Sequence, residues 1–227
     1  MAGEAARKRE GARERKASLS DEVYEKLLAK LVGSELVPGH IINRREVAEE
    51  LGVSVAPVLE AFLRLERDGY VETIPRKGTL VRPVQKDDFF EQLVMREAIE
   101  CEAARLYCGA PVREDRARLE PLARRIDEAE AGAPGRWNFE IEFHGELVSL
   151  ARCKVLDAEF LRTIRLGTFY NMHRIFIEMY RTGGEYENQS HADLLDKLER
   201  DDPDYVEGVV RDHLRSGNRR LFVDRMR

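Results

Sequence analysis

With 36% charged and 7% aromatic residues, a chain of 227 residues has the make-up of a soluble, helix-rich globular protein of one large or two modest domains, not of a β-sandwich. Its net charge of −5 is uneven: residues 1–85 carry 15 Lys/Arg against 14 Asp/Glu, and the remainder 23 against 29. The amino-terminal part is the better partner for phosphates, and the rest is a poor one. No apolar run approaches the ~20 residues of a membrane span, so no membrane partner is expected. The three cysteines form no CxxC pair. Cys101 and Cys108 are separated by about 10 Å of helical rise, too far for a disulfide, so reduced thiols and a cytoplasmic location are expected.

In chain order, residues 1–17 begin MAGEAARKREGARERK, which is basic and has no apolar h-region. They read as a solvated, disordered tail and not as a signal peptide. Ser18 or Ser20 can cap a helix through DEVYEKLLAKLV, whose Val23, Leu27, Leu28 and Leu31 fall on one stripe and which Gly33 ends. VPGH is a turn, Asn43 caps RREVAEEL as far as Gly52, and Ser54 caps a third helix that tolerates Pro57 in its first turn and closes at Gly69. YVETIP and TLVRPV alternate like strands around RKG, a hairpin tip with two cations and a glycine. Three short helices followed by such a hairpin make a winged helix-turn-helix over residues 18–84, with its third helix shaped for the major groove.

The stretches LVPGHII, RREVAEELGVS, PVLEAFLRLERDGYVE and PRKGTLV resemble the GntR family of bacterial transcription regulators over about 65 residues. The resemblance implies binding to a double-stranded DNA operator through Arg44, Arg45, Ser54, Val55, Leu59, Arg76, Lys77 and Gly78. Two positions depart from the family's pattern. Val55 and Leu59 stand where it usually carries arginines that meet guanine edges and phosphates. They lie one turn apart on one side of the helix. An apolar side chain can touch a thymine methyl but cannot make the bidentate guanine pair, worth about 1–3 kcal/mol.

RPVQKDD links this module to residues 85–227, where helices are expected at 87–108, 113–131, 137–151, 155–181, 189–199 and 203–222. The fold class is therefore mainly α: a winged helix-turn-helix plus an all-α helical bundle with a core of its own. His144, His191 and His213 each sit on the apolar stripe of a different helix. A lone histidine there is more often a satisfied core group than a ligand. Three such imidazoles each need partners, and one shared metal would satisfy all three. Glu140 lies one turn before His144 and adds a carboxylate to the same face. That donor set, with coordination positions left open, suits a divalent Zn, Ni, Mn or Fe ion.

The stretches EIEFH, SHADLLDKLERDDPDYV and VVRDHL resemble the FCD ligand-binding domain found behind many GntR modules. The resemblance implies a metal held by Glu140, His144, His191 and His213 at the floor of a pocket for a small organic acid. Glu140 is one methylene longer than the family's usual aspartate, and Cys153 and Lys154 replace its usual glycine and asparagine. Arg96 could clamp an effector carboxylate or pair with Glu100 four residues on. Arg165 and His173 are further effector-binding candidates. The function that follows is a homodimeric transcription regulator answering to a carboxylate metabolite. Two alternatives stand beside it: a metal-dependent enzyme, and a regulator that keeps the fold while its DNA binding is lost or altered.

Overall fold

The computed structural model describes residues 18–130, 135–172 and 190–216. The basic tail, His173 and the distal parts of the helices expected at 155–181 and 203–222 lie outside the described residues.

The amino-terminal module begins with α1 (Leu19–Val32), capped by Ser18, whose hydroxyl accepts from the Asp21 amide while the Asp21 carboxylate accepts from the Ser18 amide. Its stripe of Val23, Tyr24, Leu27, Leu28 and Leu31 is buried. Strand β1 (Ile41–Ile42) precedes α2 (Arg44–Leu51), where the Asn43 side chain accepts from the Arg45 amide at 3.0 Å and Gly52 adopts the left-handed region. α3 (Val55–Arg67) buries Val58, Ala61, Phe62 and Leu65 against α1. Strands β2 (Val71–Ile74) and β3 (Gly78–Val81) complete an antiparallel sheet in the order β1-β3-β2.

Two local details differ from the sequence reading. β1 is only two residues long, and its pairing of Ile41 with Leu80 and Ile42 with Thr79 carries no alternation long enough to read. The hairpin tip is Pro75–Lys77, and it is Arg76, at φ 65°, that takes the left-handed turn conformation. Gly78 already pairs with Ile74 inside β3 at φ 131°. A Cβ there would lie 2.8 Å from the Ile42 carbonyl oxygen, so the close approach of β1 is what requires the glycine.

The helical part consists of α4 (Lys86–Tyr107), α5 (Ala110–Glu128), α6 (Arg136–Leu150), α7 (Lys154–Met172), α8 (His191–Leu198) and α9 (Pro203–Ser216). α4 starts inside the expected linker because Asp88 accepts from the Gln85 amide at 2.9 Å and from Arg82 at 3.0 Å, which fixes the first turn. It is the central helix, packed against α5, α6, α7 and α9. Arg211 and Arg215 of α9 both donate to Glu97 of α4.

The described residues form two apolar clusters, and α4 and α7 contribute to both. Ile99, Phe143, Leu147, Phe160, Ile164, Leu195 and Val210 belong to the bundle core. Phe89, Leu93, Leu166, Phe169 and Tyr170 pack instead with the core of the winged module. There Phe169 meets Tyr70 edge-on, with ring centroids 5.4 Å apart. Phe169→Ala should cost about 3–5 kcal/mol of stability by opening a cavity between the two parts. Urea unfolding monitored by far-UV circular dichroism checks this, and a loss under 1 kcal/mol would mean that the two parts do not depend on this contact.

Candidate metal centre and DNA-facing surface

α6 places Glu140 and His144 one turn apart and facing inward, α8 begins with His191, and α9 carries His213 in its last turn. All three histidines are buried, and one ligand nitrogen from each lies within 4.8 Å of the others. An ion about 2.1 Å from each nitrogen in tetrahedral geometry would hold them roughly 3.4 Å apart, so the widest pair would close by up to about 1.4 Å around it. Glu140 Oε2 lies 3.1 Å from His191 Nε2 and 3.6 Å from His144 Nε2, while Oε1 faces Arg136 at 3.6 Å.

Two carboxylates outside the trio set the orientation of its rings. His144 Nδ1 is 2.6 Å from Glu100 Oε2. Burial pushes the Glu100 carboxyl up, but Arg96 and His144 outweigh it and bring it down to about 2, so Glu100 is ionised and Nδ1 is the donor. The same contact acts on His144, where burial favours the neutral ring but the Glu100 charge more than reverses that. His191 Nδ1 is 3.0 Å from Asp127 Oδ1. Burial also pushes Asp127 up, but hydrogen bonds from the His191 amide, the Ser190 hydroxyl, the Ala192 amide and the His191 ring hold it below the usual carboxylate range. Asp127 of α5 thus caps the start of α8 and orients the His191 ring with the same carboxylate.

With both Nδ1 atoms donating outward, His144 Nε2 and His191 Nε2 point toward Glu140 Oε2, which is also an acceptor. His144 Nε2 and His213 Nδ1 are buried and have no hydrogen-bond partner among the described residues. Burial, then the neighbouring His144 and His191, push His213 well below the ordinary histidine range, which keeps the ring neutral with a lone pair on one nitrogen. Burial raises Glu140 too, but the neighbouring His144 and His191 hold it well below the ordinary carboxylate range. Glu140 Oε2 at 3.1 Å from His191 Nε2 and 3.6 Å from His144 Nε2 calls for protons or a cation between them, and a divalent transition ion fits this donor set.

On the winged module, Val55 and Leu59 are exposed at the start of α3, and Leu63 continues their line at 64% exposure. Arg45, Ser54, Arg76 and Lys77 are exposed as well. Ser54 holds the N-cap position with extended backbone, but its hydroxyl makes no capping bond and so remains available. Arg44 is engaged elsewhere: Nε donates to Thr79 and a terminal nitrogen to Thr73, both at 2.9 Å, which ties the start of α2 to the hairpin. The nearest cation on α3, Arg64, binds Asp21 and lies 4.2 Å over the Tyr24 ring. Its charge is directed toward α1.

Residues 19–81 match the bacterial regulatory proteins of the gntR family, and residues 91–216, over half of the chain, match the FCD domain. The chain belongs to the GntR family of transcriptional regulators. It is 33% identical over 129 residues to the Nta operon transcriptional regulator of Aminobacter aminovorans, a match covering 56% of this chain and 60% of that protein, under two thirds of its length. It is 24% identical to the HTH-type transcriptional repressor RspR of Escherichia coli K12 over 198 residues, 86% of each chain. Among solved structures, Escherichia coli McbR/YncC aligns with a TM-score of 0.61 at 22% identity, covering 92% of this chain and 99% of that one. A GntR regulator from Rhodococcus sp. RHA1 gives 0.67 at 22%, covering 91% and 99%. These likenesses show the fold.

Within this GntR fold, the effector candidates separate. Arg96 is buried and makes the intrahelical ion pair with Glu100, with its guanidinium 5.7 Å from the Trp137 ring. Arg165 is not brought to the histidines. It is half exposed and faces Glu25 of α1 at 3.7 Å, because that side of α7 lies against the winged module. Sequence reasoning paired Glu100 with Arg96, as the structure does, but missed its contact to His144, and it missed Asp127 altogether. The first could have been suspected, since Glu100 shares the buried face of α4 with Leu93, Ala103, Ala104 and Tyr107. Asp127 sits among the acidic residues of RRIDEAE and gives no such signal. Glu100→Ala, which leaves Arg96 buried without its carboxylate, should cost about 3–5 kcal/mol in chemical denaturation. A neutral result would mean that Arg96 and His144 find other partners.

Proposed function

We propose that this GntR regulator holds one divalent transition ion through Glu140, His144, His191 and His213 and binds a small carboxylate metabolite beside it. The reading rests on the convergence of Glu140 Oε2, His144 Nε2 and His191 Nε2 next to a partnerless His213 Nδ1. The ion, Zn, Ni, Mn or Fe by this chemistry, would supply a Lewis-acidic centre with open positions for an effector oxygen. Glu100 and Asp127 hold the His144 and His191 rings, and hence their Nε2 lone pairs, toward that centre. Arg96 contributes positive charge alongside, tethered by Glu100 until a competing carboxylate engages it.

In the same reading the protein acts in the cytoplasm as a homodimer, each DNA module meeting one half of an operator. No described helix is long and apolar enough to cross a membrane. α7 is the route from effector to DNA. Thr168 of α7 accepts from Trp137 of the metal-bearing α6 at 2.8 Å, and the next residue, Phe169, lies in the core of the winged module.

Metal analysis of tag-free protein should find about one transition ion per chain, lost in His191→Ala. Chelation should lower the melting temperature, because an ion that binds only the folded state contributes about 2.7 kcal/mol at a hundredfold excess over its Kd. Organic acids that raise the melting temperature of the loaded protein should fail to do so in His213→Ala. Equal, near-zero metal in both proteins after incubation with Zn, Ni or Mn would sink the metal reading. Acids that act equally on both proteins would place the effector elsewhere.

A further inference from the structure

On the outer face of α3, Val55 is 39% exposed, Leu59 38% and Leu63 64%. They recur every fourth residue, so they form one apolar line along roughly 12 Å of helix. Between Ser54 and Leu63 the only charged side chain is Glu60. No cation is therefore available on this stretch to bond the O6 and N7 of guanine, and the next one along the helix, Arg64, is committed to Asp21 and Tyr24.

Three exposed branched side chains in line are unfavourable in water unless something covers them. The surrounding charge indicates what does. Arg45 stands exposed at the start of the preceding helix, which Arg44 ties to the hairpin, and Arg76 and Lys77 stand exposed at the hairpin tip. A polyanion matches those cations and a second acidic protein surface would not match the apolar line between them. The one apolar group that duplex DNA offers in its major groove is the 5-methyl of thymine.

We infer that Val55 and Leu59, with Leu63 at the margin, read thymine methyl groups, so that the specificity-determining contact of this regulator is apolar and its operator carries T·A pairs where α3 enters the groove. Arg45, Arg76 and Lys77 hold the phosphates and set affinity without sequence preference. This rests on the DNA-binding reading of the winged module and adds the class of base recognised.

The full-length protein is used to select sites from random duplexes. Each thymine of the selected site is then replaced by deoxyuridine, which removes only the methyl. Burying one methyl-sized group changes affinity by about fourfold, so wild type should lose roughly that factor at each contacted position. Leu59→Ala or Val55→Ala should bind more weakly and no longer distinguish thymine from deoxyuridine at its own position. A purely structural role would leave that discrimination intact. If wild type selects a sequence and Arg45→Ala weakens binding, yet deoxyuridine is tolerated throughout, the methyl inference is overturned while DNA binding stands. If nothing is selected, DNA binding through this face fails as well. If Leu59→Glu dissociates a self-associated form without changing DNA affinity, the apolar line is covered by a second copy and the inference is wrong.

Discussion

Burying three imidazoles in an apolar bundle is the constraint to which the rest of the helical domain answers. Each ring brings two nitrogens that lose water, and an unpartnered one costs free energy comparable to a lost hydrogen bond. The fold answers by drawing six residues from five helices: Glu100 from α4, Asp127 from α5, Glu140 and His144 from α6, His191 from α8 and His213 from α9. Their polar contacts fix how those helices sit against one another, since an outward-facing Nδ1 must meet its carboxylate at hydrogen-bond distance. Arg96 and Glu100 are buried together, and neither could be there without the other.

The two-sidedness of α7 makes the domains one mechanical object. Its first half packs Phe160 and Ile164 into the bundle, and its second half packs Leu166, Phe169 and Tyr170 into the winged module. Trp137 of α6 donates to Thr168 of α7, one residue before Phe169 in the core of the winged module, so the two parts share one closely packed helix.

On the DNA side, the same side chain can serve fold or ligand but rarely both. Arg44 and Arg64 are spent on Thr73, Thr79, Asp21 and Tyr24, where they hold the hairpin and α1 in place. Exposed charge is left at Arg45, Arg76 and Lys77.

Much of this was legible in the sequence because periodicity and capping are local. The stripe of Val23, Leu27, Leu28 and Leu31 gave α1 its buried face, Asn43 and Gly52 bounded α2, and the stripe positions of His144, His191 and His213 indicated that all three point inward. What a stripe cannot say is which neighbour it meets. Glu100 reaches His144 across 44 positions and Asp127 reaches His191 across 64, and no spacing rule links residues so far apart. β1 exists only because β3 lies beside it, and Arg165 faces α1 because α7 bridges two cores. The local sequence determined which faces are buried, through short-range helical and capping energetics. Tertiary packing alone decided who meets whom inside, because that depends on the mutual placement of elements that the chain brings together from far apart.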